Sequence, residues 1–384
     1  MGRGEIVRSG RRQKRLSALV TLVAIGLAFG VLTVGPSAPA GAATVLPVSA
    51  PTTVATGNAA HMVTAAEAGH HSESFVSPAS TGPLTYVGDL GGALVRENTP
   101  YAGSVLAVSY DGAGKVYLLY YDEARGLSLL SRTHAGVYSK ATLLSARADV
   151  THSTAALIAR DGHWQADWAE PVLAAGGSHL ELFQARTLGQ GRARARITST
   201  DATVQNTDPY LIDAGLGVRM VWTRTTGAVG SSPSTVRVAS FPVDDHWSQS
   251  RQLSVGGIRN VRPTIAADNL VDHVESLCWA WIQDGAVVLG CTGSALTRFA
   301  TLPDPSQSVT LHVSDRFGVA WTRRDRTGIF VVSSAGGAGT RNWSTATITA
   351  TGARPSGTDD NLSTAHQFDL YYQQGQLLQR VTAG

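Results

Sequence analysis

Lysine is nearly missing from this 384-residue chain, with only Lys14, Lys115 and Lys140. Methionine and cysteine are as sparse, at 3 and 2 residues, and charged residues make up only 15%. No apolar pattern of period 3.6 runs long enough for an amphipathic helix, which excludes a helical bundle and a doubly wound α/β fold. Catalytic signatures are absent too. There is no Gly-x-Ser-x-Gly elbow, no His-Glu-x-x-His, no EF-hand loop and no phosphate loop followed by a helix. Nothing in the sequence calls for a metal or a cofactor.

The net charge of +3 is also a weak signal. Six of the 31 basic residues (Arg3, Arg8, Arg11, Arg12, Lys14, Arg15) and one of the 28 acidic ones (Glu5) lie near the N-terminus, leaving 25 and 27, a net of −2. A body without basic excess does not bind nucleic acid by charge, and no such partner is expected.

What the chain has is organised around Leu277–Cys291, LCWAWIQDGAVVLGC. Asp284-Gly285 between two apolar runs signals a two-residue hairpin turn, whose central residues both need positive φ. Counting outward pairs Gln283 with Ala286 and Cys278 with Cys291. Cysteines opposite each other at a non-hydrogen-bonded position are close enough for a disulfide.

Residues 1–42 read as an export signal. A basic start is followed by an apolar run from Leu16 to Val34 and by small residues ending in Ala40-Gly41-Ala42. Cleavage near Ala42 releases the body; an uncleaved run anchors it, and this is the only membrane contact expected. Either way the body lies outside the cytoplasm, secreted or at the cell surface, where a disulfide persists. Residues 43–82, rich in Ala, Thr, Ser and Pro, read as a flexible linker. His61, His70 and His71 lie in it without a scaffold for a metal. The acidic/His clusters Asp244-Asp245-His246 and Asp272-His273 with Glu275 read as solvated turns.

From residue 83 to 384 short β-rich runs alternate with Gly, Asp, Asn and Pro turns, which predicts an all-β domain. A strand ending in an aromatic, then polar residues and a second apolar strand, recurs at Tyr121, Trp168, Trp222, Trp281, Trp321 and Tyr372. The spacings run from 40 to 59 residues. A period near 50 matches one four-stranded propeller blade. The expectation is a six-bladed β-propeller of antiparallel blades. The N-terminal strand at Leu84–Leu90 would complete the last blade and remove an open edge. The recurrent aromatics are expected to fill the space between blades.

In such a fold the loops joining one blade to the next converge around the axis. They carry Arg96 and Glu97, Asp149 and His152, Asn206 and Asp208, Arg259 and Arg262, Asp304, and Asp359 and Asp360. Convergent polar side chains in a funnel are a small-ligand site.

These repeats resemble the sialidase-like, six-bladed propellers exported by actinobacteria, over about Leu84–Gly384. The resemblance rests on the strand-ending aromatics and the Trp-Ser steps at Trp247-Ser248 and Trp343-Ser344. It implies the fold. It does not carry over catalytic residues, because there is no Arg-Ile-Pro motif and no true Asp box. In Ser314–Trp321 the Asp stands one place early, and the segment falls between the wrong strands. The expected function is a non-catalytic binding module for a cell-surface glycan or an envelope protein. The alternative is a glycoside hydrolase using two carboxyl groups across the funnel.

Overall fold

The computed structural model describes residues 49–383 apart from short internal stretches at 57–60, 68–70, 78–81, 90–93, 190, 215–216, 231–232, 242–246, 269–275, 293–294, 301, 306–308, 314–316, 326–327, 336–341, 350–351, 360–367 and 375–376. The expected export signal, His70, Asp244-Asp245-His246, Asp272-His273 with Glu275, and Asp360 lie outside the described residues. No helix among the described residues is long and apolar enough to cross a membrane.

Among the described residues the strands form seven four-stranded antiparallel sheets. β1 (Thr52–Thr56) is set aside for the last of them. Sheet I holds β2 (His61–Glu67), β3 (His71–Ser77), β4 (Pro83–Asp89) and β5 (Leu94–Ala102). Sheet II holds β6 (Ser104–Tyr110), β7 (Lys115–Asp122), β8 (Gly126–Thr133) and β9 (Thr142–Ser145). Sheet III holds β10 (Ala156–Arg160), β11 (His163–Ala174), β12 (Gly177–Arg186) and β13 (Arg192–Arg196). Sheet IV holds β14 (Val204–Asp213), β15 (Val218–Thr226), β16 (Ser234–Phe241) and β17 (Arg251–Gln252). Sheet V holds β18 (Asn260–Asp268), β19 (Ser276–Gln283), β20 (Ala286–Cys291) and β21 (Thr297–Phe299). Sheet VI holds β22 (Thr310–Val313), β23 (Phe317–Thr322), β24 (Ile329–Ala335) and β25 (Asn342–Thr349). Sheet VII holds β26 (Gly352–Asp359), β27 (Phe368–Gln374) and β28 (Leu377–Ala383), with β1 paired to β28.

Two expectations change. The supposed linker at 43–82 contains β1, β2 and β3, so six legible repeats become seven sheets. The segment expected to complete the last sheet is instead β4, the third strand of sheet I, and β1 takes the place beside β28. The physical reason is composition. β1 to β3 are built mostly from Thr, Ser, Ala and His, with apolar residues too small or too few to show the alternation that marks a strand. The aromatic pair of sheet I, Phe75 and Tyr86, is buried and meets edge to face at 5.3 Å.

The hairpin at the centre of the sequence forms as expected. Asp284 and Gly285 both have positive φ, 42° and 78°. Gln283 pairs with Ala286 and Cys278 with Cys291, whose Cα atoms are 3.9 Å apart and whose sulfurs are bonded. Asp161-Gly162, at 51° and 78°, closes β10 onto β11 in the same way.

Every residue of β20 is buried, because both faces of its sheet are covered. Cys278, Ala280, Val287 and Leu289 pack on Val319 and Trp321 of sheet VI. Trp281 and Val288, on the other face, pack on Val236 of sheet IV. The Trp281 indole donates to Asn260 Oδ1 at 2.9 Å, and Trp222 does the same to Asn206 Oδ1 at 3.1 Å. Trp222 and Trp281 therefore fill the space between neighbouring sheets and carry their polar edge to a fixed acceptor.

The disulfide closes a 13-residue separation in this packing. Replacing both cysteines with serine should cost about 3 kcal/mol, a fall of roughly 5–10 °C in melting temperature by calorimetry without reductant. Ligand binding should be unchanged; lost binding at constant stability would make the hairpin part of a site.

Candidate functional site

Antiparallel strands alternate in direction. The connections between sheets and the turns between second and third strands therefore emerge at one common end, the connecting end. The first strands of sheets IV and V break register close to it. Pairing passes from Thr207 with Thr223 to Tyr210 with Val221, and from Val261 with Ile282 to Thr264 with Ala280. The residues skipped are Asp208-Pro209 and Arg262-Pro263. Asp208 and Arg262 have φ of 53° and 55°. Residues before proline favour extended backbone, and a left-handed conformation costs a non-glycine residue about 1–2 kcal/mol.

Side chains hold these conformations in place. Arg262 Nη1 donates to Asp208 Oδ1 at 3.0 Å. The same oxygen accepts from the Thr154 backbone N–H at 3.1 Å, and the Asp208 N–H donates to Ser153 Oγ at 2.9 Å. The pair is largely buried, at 18% and 6% side-chain exposure, and ties together the approaches to β10, β14 and β18. Strained non-glycine backbone fixed by a buried ion pair is a pattern that clusters at binding sites. In β26 the register skips Arg354-Pro355 at the same place. The repeated Asp/Arg-Pro step is the readable signal for this feature, and Arg354 is not among the residues expected at the site from sequence.

The other expected site residues divide. Asp149 lies in the connection before β10, where its Oδ1 accepts from the N–H groups of Thr151 and His152 at 3.0 and 2.9 Å. Its carboxylate also meets His152 Nδ1 at 3.0 Å, so it caps its own turn. Arg259 lies just before β18, half-buried, and its backbone oxygen accepts from the Asp284 N–H. Asp304 is buried in the connection before β22. Two placements are corrected. Arg96 is exposed on β5, the outermost strand of sheet I, away from the innermost strands. Asp359 is the last residue of β26, at the end of the strand opposite Arg354, because β26 runs from Gly352 and the chain reaches Asp359 only after crossing the sheet.

Sequence reasoning also missed a cluster on sheet III. Glu170 and Glu181 stand directly opposite each other on β11 and β12, both fully buried. Such a pair repels unless neutralised. Glu170 accepts from Trp168 Nε1 at 2.7 Å and from Arg194 Nε at 3.1 Å. Glu181 accepts from Arg196 Nη2 at 2.8 Å, from Thr198 Oγ1, from the Thr200 N–H at 2.6 Å and from Asn206 Nδ2 at 3.1 Å. It also meets His179 Nε2 at 3.1 Å. Burial pushes both carboxyls up, but the hydrogen bonds outweigh it and leave both below the usual range. Neither can therefore donate a proton near neutral pH, as a glycosidase acid must. Among the described candidate acids of the connecting end, Asp208 is committed to Arg262 and Asp149 to its turn.

No family model matches the chain, and no curated protein matches it. Solved structures do. The BP39L lectin from Burkholderia pseudomallei aligns over 86% of this chain and 99% of its own, with a TM-score of 0.57 and 11% identity. The fold is a β-propeller. Virginiamycin B lyase from Staphylococcus aureus, in a catalytically inactive form with quinupristin, aligns over 88% and 99%, with a TM-score of 0.52 and 10% identity. One protein is a lectin and the other a lyase, so the likeness fixes the propeller and leaves its function to the residues above.

Proposed function

We propose that this propeller is an exported, non-catalytic binding module, and that an oxygen-rich ligand, a cell-surface glycan, occupies the axial mouth at Asp208 and Arg262. The observation that carries the reading is the strained Asp-Pro and Arg-Pro pair. Backbone energy has been spent to hold a carboxylate and a guanidinium at equivalent places on neighbouring innermost strands. A guanidinium fork and a carboxylate beside it match vicinal hydroxyl groups, which both donate and accept. Glu170 and Glu181, held below the usual carboxylate range, do not serve as a glycosidase's acid, which favours binding over hydrolysis.

The reading takes the seven sheets as seven blades. It is supported by the contacts of the innermost strands, which run from β2 to β6, β10, β14, β18, β22 and β26, and from β26 back to β2. The β1–β28 pairing would then be the clasp that leaves no open edge. The Arg354-Pro355 step of β26 would stand at a third equivalent place around the mouth. The reading of export is supported by the composition of the N-terminal residues and by the disulfide.

The test is a glycan array followed by calorimetric titration with the best oligosaccharide. The double variant Asp208→Asn with Arg262→Gln keeps the net charge and removes the recognition groups. It should lose at least tenfold in affinity while its melting temperature stays within a few degrees. Wild-type protein that binds no envelope glycan, or a double variant that binds as well as wild type, would refute the proposal.

A further inference from the structure

Sheet IV presents two arginines, Arg224 and Arg237, that form no ion pair among the described residues. Trp222 pairs with Arg237 and Arg224 with Thr235, so Arg224 and Arg237 share one face as diagonal neighbours on adjacent strands. Diagonal neighbours have Cβ atoms about 7 Å apart, near enough for like charges to repel. That face packs on sheet III, where Trp222 meets Leu180 and Leu182.

Arg237 spends one nitrogen on Ser250, with Nη2 donating to the backbone oxygen at 3.2 Å and to Oγ at 2.8 Å. Its Nε is buried and has no partner. Arg259 stands over the turn between β15 and β16, with Nη2 3.9 Å from where a Cβ on Gly230 would lie. Its Nε is also buried without a partner. The turn and Arg224 both belong to the connecting end of sheet IV. Among the described residues none of the three arginines forms an ion pair. The acid that Arg224 acts on is Asp201, which is exposed and already accepts from the Thr203 N–H at 3.2 Å and from Thr203 Oγ1.

A buried N–H of a charged group left without an acceptor destabilises the fold, and close like charges add to that. Burial, and then Arg224, hold the Arg237 guanidinium below its ordinary value. A structure that accepts both costs gains most from an anion.

We infer that Arg224 and Arg237, with Arg259 above them, form a binding site for an oxyanion: a sulfate, phosphate or carboxylate group. It is separate from the axial mouth, where Arg262 is already paired with Asp208. The group arrives either as a free ion or as the acidic substituent of a glycan.

Thermal unfolding of the full-length protein in sodium sulfate, against sodium chloride at equal ionic strength, tests the site. Sulfate should raise the melting temperature by several degrees more than chloride. In Arg224→Gln with Arg237→Gln the extra rise should shrink to the part that sulfate gives by general exclusion from the surface, while the melting temperature without sulfate is unchanged or higher, because a repulsion has been removed. Arg259→Gln should weaken the response, and Asp208→Asn with Arg262→Gln should keep it. A parallel titration with a sulfated disaccharide and its unsulfated parent separates the two sources. Tighter binding than inorganic sulfate, lost in the parent, assigns the group to a glycan; equal binding assigns a free ion. Equal responses to sulfate and chloride, or an excess sulfate response as large in the Arg224/Arg237 variant as in wild type, would overturn the inference.

Discussion

Glu181→Ala is expected to destabilise the protein by about 3–5 kcal/mol, because it removes one member of a buried charged network and strands the rest. Glu181 is fully buried and gathers Arg196, Thr198, Thr200, Asn206 and His179. Asn206 in turn accepts from the Trp222 indole, so the network joins sheet III to sheet IV. Alanine leaves the Thr200 N–H and His179 Nε2 without their partner, removes one of the two acceptors of the Asn206 amide and frees a guanidinium from its counter-charge. Glu181→Gln keeps the shape and some hydrogen bonds and should cost about half as much. A melting temperature within 2 °C of wild type for the alanine variant would show the network to be dispensable.

The pH dependence gives a second reading of the same residue. Its carboxyl is held below the ordinary value despite burial, through its hydrogen bonds. A lowered value contributes stability that is present above the ordinary carboxylate range and is lost as pH falls through the folded-state value. Wild-type stability should therefore drop below about pH 4, and the drop should be shallower in Glu181→Gln.

Asp167→Asn should act in the opposite sense and at the other end of the pH scale. Asp167 is fully buried on β11 opposite Gln184, with Gln165 and Arg186 on the same face. Burial pushes its carboxyl up to about 8, against the pull of Gln165, Arg186 and Gln184. An acid raised in the folded state contributes stability that is complete below the ordinary value and is lost as pH rises through the folded-state value. Wild-type stability should fall steadily from about pH 5 to pH 8. The asparagine variant, uncharged throughout, should lack that slope and exceed wild type at pH 8 by an amount on the order of 4 kcal/mol. Denaturant midpoints at pH 5, 6.5, 8 and 9 decide it; parallel curves for the two proteins would mean that Asp167 ionises freely in the fold.

Some of this molecule is written in short stretches of its sequence. The Asp284-Gly285 turn, the pairing of Cys278 with Cys291 and the face of the strand on which Trp281 stands all depend on residues within one hairpin. There turn chemistry and a period of two dictate register. The all-β class and the four-strand repeat follow for the same reason. The strand-ending aromatics at Trp168, Trp222 and Trp321 are large enough to show their period through variable loops.

Sheet I was not legible, because its first two strands are spelled with Thr, Ser, Ala and His, the letters of a linker. Such strands gain their burial from neighbours rather than from their own side chains. Only the tertiary structure decided that Thr52–Thr56 pairs with β28, since two strands more than 300 residues apart share no local signal. The same limit applies to the sites. Asp208 and Arg262 were both suspected as polar loop residues, but they lie inside strands, and their meeting depends on two register breaks falling side by side. Glu170, Glu181 and Asp167 gave no warning, because an acid in a strand reads as a solvent-facing residue until a second sheet covers it. Composition and turn chemistry determined the kind of fold and its covalent staple. Which strands join the ends, which acids are buried and which arginines go unpaired were decided by packing between sheets, where the energies arise from neighbours distant in the chain.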